Sequence, residues 1–160
     1  MTQDPWHDDA LRRIGELTRD IDICMFVTRS DGGLRGRPMS NNGEVEYDGD
    51  TWFFSYRDTP KVEEIAADPR VELAYVATER GTWLSIEGTA EVVEDDQRKR
   101  ELWQEDLGAW FQTGPDDDRV VLIKVRANRV HGWADGEEFV MQPGRDVTRI
   151  EGRAEEPSRS

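Results

Sequence analysis

Between Trp52 and Lys61 the chain reads Trp-Phe-Phe-Ser-Tyr-Arg-Asp-Thr-Pro-Lys, an aromatic strand end that runs through a short loop into the first turn of a helix. A hydroxyl, a lysine and a helix N-terminus in one stretch are the ingredients of a phosphate site. Thr59 stands at the N-cap position, Pro60 at the first helical position, and Asp68-Pro69 stops the run that begins at Val62. Lys61 therefore falls in the first turn. There the helix dipole is positive and disfavours a cation, so a lysine implies an anion nearby. The bland alternative is local: Lys61 lies along the surface or pairs with Glu63 or Glu64.

A second group of candidates precedes it. Arg35 and Arg37 share one face of Leu34-Arg35-Gly36-Arg37-Pro38-Met39, and Pro38 limits that strand's hydrogen bonding, as at an edge or a bulge. A guanidinium holds phosphate bidentately, so Arg37 could complete a site begun by Ser55 and Lys61; the alternative is a pair of solvated arginines. Of the six tryptophans, Trp83 and Trp133 fall on strands where they could line a pocket, whereas Trp103 and Trp110 read as one packed face. His131 is most simply a packing or strand-surface residue. No nucleophile arrangement suggests itself, because Cys24 lies inside the apolar run Ile23 to Val27 and neither His7 nor His131 has a recognisable partner. Tyr56 and His131 are the side chains left for a substrate-side role.

The 160 residues, 36% of them hydrophobic, suffice for one core. A net charge of −14 argues against nucleic acid or an anionic membrane as partner, since both are themselves negative. One cysteine permits neither an internal disulfide nor a cysteine-based zinc site, and no stretch approaches the roughly 20 apolar residues of a membrane span. Without a leader-like pattern at Met1 to Pro5, the expected location is cytoplasmic. The acidic runs Glu94 to Asp96 and Asp116 to Asp118 read as helix-start and turn residues.

Helical spacing of Ala10, Leu11, Ile14 and Leu17 predicts an amphipathic helix from Asp8 to Asp20. Four strands are expected before the lysine helix: Ile21 to Thr28, Leu34 to Ser40, Glu44 to Tyr47 and Thr51 to Ser55. Strands at Val71 to Ala77 and Thr82 to Val93 follow, the second with a bulge at Gly88, then a helix from Asp95 to Leu107. Arg119 to Arg126 reads as another strand, and Val130 to Trp133 pairs with Phe139 to Met141. The polar segment from Pro143 is expected to be disordered, giving one domain over 1–142 and a tail over 143–160. Short strands at hairpin spacing favour an antiparallel barrel over a doubly wound sheet, and neither a dinucleotide glycine fingerprint nor a Walker motif is present.

Together these segments resemble one family, the FMN-binding split-barrel proteins related to pyridoxamine 5′-phosphate oxidase, in the branch of general stress protein 26. The resemblance runs from Ile21 to Trp133. It is carried by Arg37-Pro38-Met39, Gly49 to Ser55, Thr59 to Ile65, Ser85 to Val93, and Leu102-Trp103 with Ala109-Trp110-Phe111. It implies a mainly β fold, a six-stranded antiparallel split barrel with peripheral helices, as a homodimer with FMN in a groove between the subunits. By similarity Lys61 and Ser55 would bind the FMN phosphate with Arg37 beside it, and Thr59 would belong to the same cofactor-binding set. The backbone of Pro38, Met39 and Phe54 would lie near the isoalloxazine, and Trp133 matches a family tryptophan near the ring. Four departures matter: Pro60 replaces a second phosphate-binding cation, Asn42 a lysine, Trp83 a flavin-contacting glutamine, and the later Arg-x-His substrate motif has no counterpart in Ala134 to Met141. What is implied is an FMN-dependent oxidoreductase acting on a small-molecule redox substrate or donor, without pyridoxamine phosphate oxidase activity. The alternatives are a flavin-binding stress protein without turnover, or the same fold holding FAD, F420 or haem.

Overall fold

The computed structural model describes residues 5–41 and 46–150. Helix α1 (Asp8–Thr18) leads into β1 (Ile23–Ser30), β2 (Gly33–Ser40) and β3 (Asp50–Tyr56); helix α2 (Pro60–Ala67) follows, then β4 (Arg70–Ala77) and β5 (Thr82–Val93). Helix α3 (Asp96–Leu102) precedes β6 (Val120–Ala134), β7 (Glu137–Met141) and β8 (Thr148–Arg149). The strands pair antiparallel in the order β2-β1-β4-β5-β6-β7-β8, and β3 joins β6. The edge of β6 that faces away from β5 is shared end to end. β3 pairs with its first half, Val120 to Arg126, and β7 with its second, Val130 to Ala134. Six strands, β1 to β6, thus form an antiparallel barrel left open between β2 and β3, which is the expected split barrel.

Alternation builds this barrel. On β1, Cys24, Phe26 and Thr28 point inward and are buried, while Ile23 and Met25 point outward. Phe26 meets Phe53 edge-on at 5.1 Å in a core that also takes Leu73, Tyr75, Ile86, Ile123 and Val130. Burial pushes the Cys24 thiol up to about 12, as an interior position disfavours the thiolate. A second, smaller core lies on the outer side of β3, where Trp52 and Phe54 pack with Leu102, Phe111 and Leu122.

Two glycines let the strands approach closely. The expected bulge occurs between Glu87 and Gly88, where an added Cβ would sit 2.7 Å from the carbonyl oxygen of Arg126. At Gly132 a Cβ would meet Phe139 at 2.5 Å and Leu84 at 2.6 Å, both buried and unable to retreat. Gly132→Ala is accordingly expected to destabilise the fold by roughly 1–3 kcal/mol through overpacking, read as a lowered thermal midpoint; an unchanged midpoint would contradict this packing.

Several boundaries differ from the sequence reading. The two late strands predicted at Arg119 to Arg126 and Val130 to Trp133 are one continuous β6. The helix expected from Asp95 to Leu107 ends at Leu102, because Trp103 is extended, and resumes as a 3-10 turn over Glu105–Ala109. Asp95 caps α3 by accepting from Arg98 N at 3.0 Å, and the buried Lys99 donates to Val120 O at 2.9 Å, tying α3 to β6. Three described strands, not four, precede α2: Tyr47 is in no strand, and 42–45, including Asn42, lie outside the described residues. The segment from Pro143, expected to be disordered, instead carries β8, which pairs with β7; 151–160 lie outside the described residues. No helix among the described residues is long and apolar enough to cross a membrane.

Strand register also defines an outer face. Met25 stands opposite Pro38 and Ala74, Val76 opposite Trp83, and Trp83 opposite Trp133. An apolar row therefore runs from Pro38 on β2 through Met25 on β1, then Ala74 and Val76 on β4, to Trp83 on β5 and Trp133 on β6, with Met25 and Val76 exposed at 43% and 55%; Leu34, also exposed, lies on the same face further along β2, opposite Arg29. A row of that length on a solvent-facing sheet marks a surface built to be covered.

Candidate functional site

Helix α2 has the predicted limits, with Thr59 extended at the N-cap and Pro60 opening the first turn. No side chain caps it. The hydroxyl of Thr59 donates to Tyr56 O at 3.0 Å, as does that of Ser55, and the two hydroxyls lie 3.4 Å apart. Both gather at the β3–α2 turn.

Lys61 is partly buried and, among the described residues, forms no ion pair. Its ammonium is held below the ordinary lysine range, first by burial and then by the guanidinium of Arg37. The local alternative fails because Glu64 turns away from it. Glu64 is buried and accepts from Arg37 Nη2 at 3.0 Å and from Thr28 Oγ1 at 3.2 Å; Arg35 lies 3.6 Å from its other oxygen. Arg37 also donates to Thr28 Oγ1 at 2.9 Å and to Phe26 O at 3.3 Å. Its position is thus fixed by two strands and a helix. One cation of the cluster is compensated by a carboxylate and the other is not.

The remaining predicted residues divide. Pro38 lies exposed on the outer face, Met39 packs against the main core, and Phe54 sits in the second core, 5.3 Å from Trp103. Arg37, Thr59, Lys61 and Ser55 come together around α2, whereas Trp133 does not join them. Ser55 stands opposite Val121, and Trp133 lies twelve positions further along β6, about 40 Å of extended strand. Trp133 stacks instead on His131, with ring centroids 4.3 Å apart, and His131 Nε2 lies 2.8 Å from Glu138 Oε2. Tyr56 is engaged with the late loop, donating to Trp110 O at 3.3 Å.

Sequence reasoning missed Glu64 and Glu138. The first looked like a surface partner of Lys61 by spacing. Its burial was legible only in that Val62, Ile65 and Glu64 fall on neighbouring positions of a short helix that must cover the barrel end. The second faces Trp133 across β6 and β7, in alternation with the buried Phe139.

Comparison with known proteins agrees with this architecture. A protein related to general stress protein 26 from Clostridium acetobutylicum superposes with a TM-score of 0.72 at 19% identity, covering 85% of this chain and 96% of that one. The general stress FMN/FAD binding protein of Xanthomonas citri gives 0.69 at 21% identity, over 81% and 91%. These likenesses concern the fold. Among curated sequences, protein bli-3 of Neurospora crassa is 28% identical over 134 residues, 78% of this chain and 64% of the relative, so the chain spans less than two thirds of that relative's length. The family model described as pyridoxamine 5′-phosphate oxidase like matches residues 9–145, which takes in the α2 cluster, the bulged β5 and the whole of β6; the chain belongs to that family.

Proposed function

We propose that this chain binds FMN as a homodimer, with the phosphate at the α2 cluster, and serves as a flavin-dependent oxidoreductase for a small-molecule substrate or donor. The observation that carries the reading is Lys61: an uncompensated, partly buried ammonium beside a second cation, at the open N-terminus of a helix. Such an arrangement repels itself until an anion enters, so the residues present suit a phosphate monoester. FMN, when bound, supplies the ring that accepts and returns a hydride, and the chain's own residues bind and orient it. The relative from Xanthomonas citri is described as FMN/FAD binding, which supports a flavin for this family member too.

The dimer accounts for the separation of Trp133 from Lys61. β4 is the middle strand of the outer apolar row, with β2 and β6 at its ends. A two-fold axis near β4 would lay the β6 end of one subunit over the β2 end of the other, across four strand spacings or about 19 Å. Trp133 of the partner subunit would then approach Pro38 and Met39, completing one site from two chains.

The deciding experiment is the absorption spectrum of the purified protein, with the extracted cofactor identified by mass. A flavin spectrum and the mass of FMN support the reading, FAD or F420 would reassign the ligand, and a Soret band would replace flavin by haem. Apoprotein that takes up no FMN on titration would overturn it. Bleaching by NADH or NADPH followed by reoxidation with an added acceptor would establish turnover.

A further inference from the structure

The pair His131 and Glu138 has no part in the phosphate cluster, yet it is built around the one ring that the flavin reading places against the ligand. Residues 131 and 133 share the outward face of β6, and Gly132 between them is locked against Phe139 and Leu84, so the strand cannot rotate to hide either ring. Their rings lie 4.3 Å apart with planes 27° from parallel. Glu138, directly across from Trp133 on β7, reaches diagonally to His131 Nε2 at 2.8 Å, and its side chain is only 13% exposed. The carboxylate accepts, so the ring's Nε2–H is the donor and Glu138 fixes the orientation of the imidazole. The other groups facing the imidazole are uncharged or already paired. Ser85 lies opposite on β5, Val140 opposite on β7, and Arg129, two positions back on β6, is 3.7 Å from Glu87.

We propose that His131 is a positioning residue for Trp133: oriented by Glu138, it fixes the plane of the indole that meets the ligand, and the ligand is held less well when that backing is removed. The proposal rests on the flavin reading for the ligand but not for the clamp itself. An aromatic pair is worth enough for its loss to be seen in binding, and a ring free to swing loses part of its stacking on any planar partner.

The test uses the full-length protein with FMN as the probe. Without ligand, near-ultraviolet circular dichroism of the wild type should carry a signal from the held indole that is lost in Trp133→Phe, falls in His131→Ala and returns in His131→Phe. In FMN titrations, His131→Ala should weaken binding about two- to twelvefold, as expected for one lost aromatic pair. His131→Phe should restore most of it, and His131→Ala combined with Glu138→Ala should be little worse than His131→Ala alone, because Glu138 acts through the same ring. A dichroism signal that His131→Ala leaves unchanged overturns the proposal, and so does unchanged FMN affinity in His131→Ala. A wild type whose dichroism signal depends on His131 but that takes up no FMN overturns the flavin reading while supporting the clamp on Trp133.

Discussion

Lys61→Ala should raise the dissociation constant for FMN by roughly 10- to 150-fold, the effect of about 1.5–3 kcal/mol for one charge-assisted contact, while leaving the apoprotein at least as stable as the wild type. The two halves of this expectation have one cause. Folding carries the Lys61 ammonium to a partly buried place beside Arg37 and lowers its pKa from 10.5. A base whose folded pKa is depressed opposes folding while it is charged. That cost is full below the folded pKa and disappears as pH rises from there toward the unfolded value. Removing the side chain removes the cost. A bound phosphate reverses the sign by favouring the ammonium, so its contribution to FMN affinity is full below the pKa of the free protein and is lost as pH rises through it. Titrations from pH 7 upward should show the wild type losing affinity before the ordinary lysine range is reached, and the variant lacking that loss. Arg37 is a poorer probe, because its removal takes the closest cation from the buried Glu64, leaving it the Thr28 hydroxyl and Arg35 at 3.6 Å. If Lys61→Ala bound FMN as tightly as the wild type, the phosphate would have to lie elsewhere.

Val76→Glu should convert the protein to a monomer and abolish tight FMN binding, although Val76 belongs to no part of the α2 cluster. The side chain is 55% exposed on β4, the middle strand of the apolar outer face. An isologous interface with its axis near β4 presents each substitution twice, so two carboxylates would be buried close together. Burying a charge without a partner costs several kcal/mol even after relaxation, and like charges add to this. Sedimentation velocity would report the association state, and an FMN titration the affinity, on the same sample. A wild type that sediments as a monomer at micromolar concentration, or a monomeric Val76→Glu with full FMN affinity, would end the shared-site reading. Mixing offers a further discrimination. Lys61→Ala and Trp133→Ala subunits, each weak alone, should recover binding on reassociation, since a hybrid dimer contains one site with both residues intact.

Local chemistry carried the parts of this structure that were legible in the sequence. Thr59, Pro60 and Asp68-Pro69 delimit α2 without help from the rest of the fold, and alternation across Ile23 to Thr28 or Thr82 to Val93 depends only on which side of a strand is wet. Where the outcome depended on a distant partner, the sequence was silent. The polar Arg126 to Arg129 looked like a break, but β5 pairs with β6 on either side of the bulge, and a strand continues wherever a neighbour supplies its ladder. The spacing of Lys61 and Glu64 suggested a surface ion pair. Tertiary packing directs Glu64 to Arg37 and Thr28 instead, which leaves Lys61 without a carboxylate partner among the described residues. The pairing of β3 with β6 joins residues about 70 apart in sequence, for example Ser55 and Val121, and no local pattern records it.

The burial of Cys24 has a chemical corollary. A thiol pushed up to about 12 is almost wholly protonated at pH 7, and the thiolate is the form that attacks peroxides and disulfides. The protein's single thiol is therefore shielded from oxidants in the native fold. Oxidative chemistry would fall on whatever ligand the chain carries or on a thioether such as the exposed Met25, and a thiol-labelling reagent that modifies Cys24 would be reporting an unfolded chain.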